Sequence, residues 1–130
     1  MTRVMAFGTF DVVHKGHAFY LEQAKKLGNE LIAVIARDAN VLKERGKLPL
    51  YNELQRKKDI EALAIADKVV LGIEANRLEI IEMYKPDVIC LGYDQNSLAV
   101  EKYIKEKNIS IKIVRIQSYM PEKYKSSKLK

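Results

Sequence analysis

The chain opens on VMAFGTFDVVHKGH, residues 4–17, in which an apolar run turns into the start of a helix. Residues 4–7 are typical of a buried strand, and the pattern after His17 is typical of a helix. In an open α/β sheet such a turn binds phosphates, because the helix N-terminus presents N–H donors and a partial positive charge. The stretch therefore predicts an anion site where the first strand passes into the first helix.

Both histidines of the chain lie in this turn, three residues apart. At the start of a helix His14 and His17 face the same side, and Gly16 between them has no Cβ to keep a ligand from the backbone. Gly8 lets the chain leave the strand sharply, and Asp11 adds a carboxylate. We predict that the two imidazoles face a common ligand.

Two other interpretations of the histidine pair remain at this point. The first is an ordinary helix cap with two surface histidines, and the second is a metal site. Zinc requires three or four protein ligands, whereas the single cysteine, Cys90, lies in a different apolar strand. We predict no metal held by protein residues.

Composition favours an ordinary globular protein with anionic partners. The 130 residues predict a single domain over 1–130. A net charge of +6 and a pI near 9.3 suit nucleotides and would also suit nucleic acid. One cysteine suits a reducing compartment, and the sequence contains neither a signal peptide nor an apolar run of membrane-spanning length. We expect a soluble cytoplasmic protein without membrane contact.

Strand-like and helix-like segments alternate along the chain. Predicted strands cover residues 3–7, 30–36, 68–71, 87–91 and 110–116. Predicted helices cover residues 17–27, a short part of 38–49 before a basic loop, 52–64, 76–84, 98–107 and the end from 124. Gly28 is expected to close the first helix in a left-handed cap, and Asn52 to cap the third. This alternation predicts a parallel sheet with right-handed crossovers.

The motif Gly8–Asp11 followed by His14–His17 resembles the HxGH signature of the small nucleotidyltransferases, a superfamily that includes glycerol-3-phosphate cytidylyltransferase and the archaeal-type FAD synthases. The resemblance covers nearly the whole chain. Further similar segments are Ala36–Asp38, Leu50–Arg56, Ala66–Gly72, Leu91–Gln95 and Tyr124–Lys128. It implies a Rossmann-like α/β fold with an open five-stranded parallel sheet in the order 3-2-1-4-5 and helices on both faces.

The resemblance also implies roles for individual residues. His14, His17 and Lys47 are the expected catalytic residues. Nucleotide contacts are expected from Thr9, Phe10, His14, Lys15, Gly16, His17, Asp94, Tyr119, Ser126 and Ser127. Lys43 is an alternative to Lys47 for closing over a phosphate. For Arg56 two roles stay open, holding the acceptor phosphate or supporting the structure.

The implied reaction joins the phosphate of an acceptor to the α-phosphate of a nucleoside triphosphate and releases pyrophosphate. The acceptor phosphate is already anionic, so the protein has to position the reactants and neutralise charge. His14 and His17 are therefore expected to donate hydrogen bonds to phosphate oxygens. Mg²⁺ is expected to arrive with the triphosphate, held by its phosphates and by water.

The predicted substrates are ATP and FMN, because the sequence resembles the archaeal-type FAD synthases more than it resembles the cytidylyltransferases. Near the end the chain keeps a pair of hydroxyls, Ser126 and Ser127, but lacks the arginine and glycine of the cytidylyltransferases. The alternative is a CTP-dependent enzyme acting on glycerol-3-phosphate. A non-catalytic nucleotide- or RNA-binding module is a third hypothesis, although the tyrosines form no evident stacking platform. We expect a homodimer.

Overall fold

The computed structural model describes residues 2–76, 78–92 and 97–116. Five strands and five helices lie within them. In chain order they are β1 (Arg3–Gly8), α1 (Lys15–Lys25), β2 (Glu30–Ile35), α2 (Asp38–Arg45), α3 (Glu53–Ala62), β3 (Lys68–Leu71), α4 (Glu79–Tyr84), β4 (Val88–Gly92), α5 (Leu98–Glu106) and β5 (Lys112–Ile116). None of the helices in these ranges has the length and apolar composition needed to cross a bilayer.

The strands form one five-stranded sheet in the order β3-β2-β1-β4-β5, and every neighbouring pair is parallel. This confirms the order predicted from the family resemblance. β1 pairs with β2 along its whole length, from Arg3 to Gly8. Its pairing with β4 covers only Val4 to Ala6. The two central strands therefore part after Ala6, which opens a crevice at the carboxyl end of the sheet.

Apolar side chains cover both faces of the sheet, because alternate residues of a strand point to opposite faces. One core cluster combines Val4 and Ala6 of β1 with Leu21 of α1 and Ile60 of α3. On the other face, Met5 packs in a cluster with residues of β2 and α4. A third cluster joins β4 to α4 and α5. Helices thus lie on both faces, as expected of near-continuous apolar strands.

Most predicted elements are confirmed within about two residues. The third strand has the predicted bounds, and the Asn52 side chain caps α3 by accepting the N–H of Gln55 at 2.8 Å. α2 ends at Gly46, which has a left-handed φ of 81°. The helix predicted from residue 124 lies outside the described residues.

The predicted left-handed cap at Gly28 is wrong. α1 ends at Lys25, and its C-cap residue Lys26 has a right-handed conformation. Gly46 is the glycine with a positive φ in the described part of the chain. Gly28 instead allows its backbone to pass close to that of Thr2, since an added Cβ would lie 2.6 Å from the carbonyl oxygen of Thr2. The sequence pattern correctly indicated that a glycine follows α1, but not that this glycine is needed for the close contact with Thr2.

Candidate active site at the first strand-to-helix turn

His14 is the capping residue of α1, so the helix begins slightly earlier than the predicted start at His17. It has an extended backbone, and its Nδ1 accepts the N–H of Gly16 at 2.9 Å. The N–H of His14 donates in turn to Nδ1 of His17 at 3.2 Å. The two histidines therefore form a reciprocal cap, in which imidazoles do what Ser, Asp and Glu side chains do in other helices.

The imidazole rings are stacked, with centroids 4.1 Å apart and planes inclined by 23°. This confirms that both rings face the same side of the helix start. Because each Nδ1 accepts a backbone N–H, the proton of a neutral ring lies on Nε2. The cap thus fixes the tautomer that donates from Nε2, which is the form needed to hydrogen-bond an anion at the helix N-terminus.

His17 is held in its neutral form. Burial, followed by the nearby His14, lowers the pKa of His17 to about 4, although Asp11 acts in the opposite direction. The Phe10 ring contributes to this burial by packing edge-on against the His17 ring, with centroids 5.6 Å apart. At neutral pH His17 is therefore a hydrogen-bond donor without charge.

The lowered pKa predicts a pH dependence of stability. As pH falls from 6.5 towards 4, the unfolded chain binds a proton at residue 17 and the folded protein does not. The free energy of unfolding should therefore fall over this window, by roughly 1–2 kcal/mol once solvent screening of the partly exposed ring is allowed for. The difference between the parent and a His17→Ala variant, measured by urea unfolding at several pH values, isolates this effect. Equal pH dependence in both proteins would contradict it.

Gly16 makes room for the His14 ring. An added Cβ at Gly16 would lie 2.6 Å from Cε1 and 2.9 Å from Nδ1 of that ring. The close approach that we predicted for a ligand is thus occupied first by the histidine itself. The glycine is required because His14 folds back over it to cap the helix.

Replacing Gly16 with alanine should therefore displace the His14 ring and break its cap. We expect the rate of the reaction that the family resemblance implies to fall about ten- to a hundredfold, because the displaced ring of His14 is a predicted phosphate donor. Stability should change by less than about 1 kcal/mol, since alanine favours the helix while the cap is lost. Steady-state rates and urea unfolding measure the two effects, and an unimpaired rate would rule out this role for His14.

The loop before α1 is strained at two positions. Phe10 and Val12 have left-handed φ angles of 57° and 51°, which cost free energy for residues other than glycine. The Phe10 ring is buried and crosses Gly8, where an added Cβ would lie 2.7 Å from its Cζ. The Phe10 ring is therefore taken up by contacts within the protein, and the predicted nucleotide contact at this position would fall to its backbone.

Arg56 of α3 anchors the loop between β1 and α1 from the protein interior. Its side chain is completely buried. The guanidinium donates to the carbonyl oxygens of Thr9 at 2.6 Å and Ala36 at 2.8 Å, and to Asp38 Oδ1 at 2.7 Å. Its Nε donates to the carbonyl oxygen of Tyr51 at 3.0 Å. Of the two roles left open for Arg56, these contacts support the structural one.

Asp11 ties the loop to the segment that carries Lys47. Its two carboxylate oxygens accept the backbone N–H groups of Leu50 at 2.7 Å and Tyr51 at 3.0 Å. The basic residues 43–47 therefore lead directly into a segment that is anchored beside the histidines. Lys47 itself is exposed, so its amine is accessible to an anion bound there.

Tyr20 is a site residue that the motif did not identify. Its hydroxyl lies 2.9 Å from the carbonyl oxygens of both Phe7 and Cys90, to which it can donate. These carbonyls belong to β1 and β4 where the two strands part. Tyr20 thus links β1 to β4 at the base of the crevice. The sequence signal that could have identified it is its position one helical turn after His17.

The other predicted site residues divide into two groups. Thr9 and Lys15 lie on the histidine turn, where Lys15 is exposed, and Lys47 lies on the exposed stretch that precedes Leu50. Asp94, Tyr119, Ser126 and Ser127 lie outside the described residues. Over residues 2–76, 78–92 and 97–116, no three His, Cys, Asp or Glu side chains are grouped closely enough to hold a metal ion. The buried Cys90 is unreactive, because burial raises the pKa of its thiol to about 12.

Comparison with known proteins places this geometry in a family. The cytidylyltransferase-like family matches residues 5–130. A protein named FAD synthase from Thermoplasma volcanium is 42% identical over 121 residues, which are 92% of this chain and 84% of that protein. FAD synthase from Methanohalobium evestigatum is 48% identical over 118 residues, 89% of this chain and 77% of that protein.

Solved structures agree with the fold. The lipopolysaccharide core biosynthesis protein from Thermoplasma volcanium has a TM-score of 0.83 at 42% identity, over 92% of this chain and 98% of that chain. Pantothenate synthetase from Thermus thermophilus has a TM-score of 0.65 at 14% identity, over 92% of this chain and 56% of that chain. The second likeness concerns the fold alone.

The resemblance inferred from the HxGH motif is thereby confirmed over most of the chain. The five-stranded parallel sheet in the order 3-2-1-4-5 is what that resemblance implied. The chain belongs to the cytidylyltransferase-like family.

Proposed function

We propose that the protein is an FAD synthase, which transfers the adenylyl group of ATP to FMN and releases pyrophosphate. The observation that carries this proposal is the stacked pair His14 and His17, capped so that Nε2 carries the proton at the mouth of the crevice. The relatives named FAD synthase, at 40–48% identity, support the choice of substrates.

In the proposed reaction a phosphate oxygen of FMN attacks the α-phosphorus of ATP. A new phosphorus–oxygen bond forms, the bond from the α-phosphorus to the bridging oxygen breaks, and its electron pair leaves with pyrophosphate. His14 and His17 donate hydrogen bonds to the phosphate oxygens on which negative charge grows. Because the attacking oxygen is already anionic, the protein needs to supply no base.

Cations complete the neutralisation of charge. We assign this role to Lys47, or to Lys43 in its place, because both are exposed on the stretch that leads to the residues bonded to Asp11. Mg²⁺, which arrives on the triphosphate, supplies further positive charge when bound. By the family resemblance we further propose that Asp94 binds the base or ribose edge of the nucleotide, that Tyr119 lies over the nucleotide, and that Ser126 and Ser127 bind the outer phosphates.

The second candidate is a transferase that uses CTP, in accord with the description of the matching family as cytidylyltransferase-like. Its acceptor would be glycerol-3-phosphate, the alternative that the motif resemblance leaves open. Pyrophosphate release from the purified protein with Mg²⁺ distinguishes the two, with ATP or CTP paired with FMN or glycerol-3-phosphate. We expect release with ATP and FMN. Release with CTP and glycerol-3-phosphate alone would replace the proposal with the second candidate, and bound nucleotide without release in any pairing would favour a binding module.

A further inference from the structure

Exposed apolar side chains of the described residues are concentrated near the histidine loop. Nine large apolar side chains are exposed over residues 2–76, 78–92 and 97–116. Five of them, Val12, Leu48, Leu50, Tyr51 and Leu54, lie within three residues in sequence of the hydrogen bonds that join Asp11 to Leu50 and Tyr51, and we call these five the apolar patch. Single exposed apolar residues are common on protein surfaces, but a group of them marks a binding surface. Leu50 is 81% exposed and Leu54 is 61% exposed, so the patch lies open to solvent.

The patch is tied to the histidine loop by specific hydrogen bonds. Asp11, next to Val12, accepts the backbone N–H groups of both Leu50 and Tyr51. Asp11 lies three residues before His14 in the same loop. A ligand whose phosphate reaches the histidines therefore has the apolar patch within reach of its other end.

Tyr51 is held more firmly than an exposed residue in a loop normally is. Its N–H donates to Asp11 Oδ1 and its carbonyl oxygen accepts Nε of Arg56, each at 3.0 Å. The side chain of that arginine is completely buried. Yet the Tyr51 side chain is 45% exposed. An aromatic ring on a fixed backbone loses little conformational entropy when a ligand stacks on it.

The charges around the patch match a ligand that is part anion and part apolar ring. Residues 42–51, LKERGKLPLY, carry three basic side chains and one acidic side chain. Lys43, Arg45 and Lys47 are all exposed and lie on the stretch that ends in Leu50 and Tyr51. Glycerol-3-phosphate would use the cations alone, whereas FMN would use the cations and the apolar surface.

We propose that Tyr51, with Leu50 and Leu54 beside it, is the surface on which the isoalloxazine ring of FMN stacks while the FMN phosphate lies at the histidines. This inference rests on the proposed function and assigns the position of the acceptor within it. Stacking of a flat heteroaromatic ring on an aromatic side chain is favourable and requires no polar partner.

The test compares Tyr51→Ser and Tyr51→Phe with the parent protein. Met83→Ser is the matched control, because Met83 is also an exposed apolar residue but belongs to α4. We expect Tyr51→Ser to raise KM for FMN about tenfold, with KM for ATP within about twofold of the parent. Tyr51→Phe keeps the aromatic face and should restore most of the affinity for FMN that Tyr51→Ser loses, whereas Met83→Ser should keep both constants. FMN fluorescence, which stacking on tyrosine quenches, should be quenched by the parent protein and not by Tyr51→Ser.

The outcomes separate this inference from the function on which it rests. FAD formation by Tyr51→Ser with unchanged KM for FMN and unchanged quenching would overturn the stacking surface and leave the FAD synthase proposal intact. Absence of FAD formation by the parent protein would overturn both. If Tyr51→Ser kept the parental KM for FMN but sedimented as a monomer where the parent sediments as a dimer, the patch would be an interface with a second copy of the chain instead.

Discussion

Replacing His17 with alanine is expected to lower turnover by about 10²- to 10³-fold, the usual loss when one donor to a developing charge is removed. The ring is neutral because its pKa lies at about 4, and its Nδ1 accepts the N–H of His14 at 3.2 Å. Its Nε2 therefore provides a donor whose strength does not depend on pH near neutrality. Steady-state kinetics with saturating ATP and FMN measure the effect.

His17→Gln is the control for this variant, because its amide keeps an N–H donor on a longer side chain. It should recover part of the lost turnover, while His17→Ala should bind nucleotide with little change. Both variants remove the His17 Nδ1 that accepts the N–H of His14. In His17→Gln the amide oxygen can accept this N–H, and in His17→Ala water can, because His14 is exposed. Turnover of His17→Ala at the parental rate would refute the catalytic role.

Replacing Arg56 with alanine is expected to destabilise the protein by about 3–5 kcal/mol, as is usual when one partner of a buried charged network is removed. The buried guanidinium satisfies three backbone carbonyls and the Asp38 carboxylate. Without it these acceptors stay buried with fewer donors. Urea unfolding at pH 7 measures the loss.

Lys58→Ala is the matched control, because Lys58 is a cationic residue of the same helix that is exposed. It should change the free energy of unfolding by less than about 0.5 kcal/mol. Arg56→Lys should remain strongly destabilised, since one ammonium group cannot reproduce the fork of the guanidinium. If Arg56→Ala unfolded like the parent while KM for the acceptor rose sharply, the alternative role at the acceptor phosphate would be the correct one.

The sequence was sufficient for the elements of the fold because the strands are buried on both faces. Runs such as residues 30–36 are almost uninterrupted in apolar residues, and the glycines, prolines and caps between them limit each segment. Their order in the sheet came from the family resemblance. Local patterns alone do not define which strands are neighbours.

Contacts between distant residues were not predictable from local patterns. Asp11 and Leu50 are 39 residues apart, and Arg56 and Thr9 are 47 apart. An arginine on a helix with exposed neighbours looks like a surface residue, and only the fold places it under the loop. From sequence, a histidine cap and a ligand site are alternatives, because imidazole is not among the usual capping side chains. In the structure the cap is what orients both rings for a ligand.

The fate of the α-phosphate of ATP tests the central proposal most directly. The purified protein is given FMN, Mg²⁺ and ATP labelled with radioactive phosphorus at the α-position, and the products are separated. We predict that the label appears in FAD and that unlabelled pyrophosphate forms in equal amount. Label that stays in ATP, or that enters a product without flavin, would contradict adenylyl transfer to FMN.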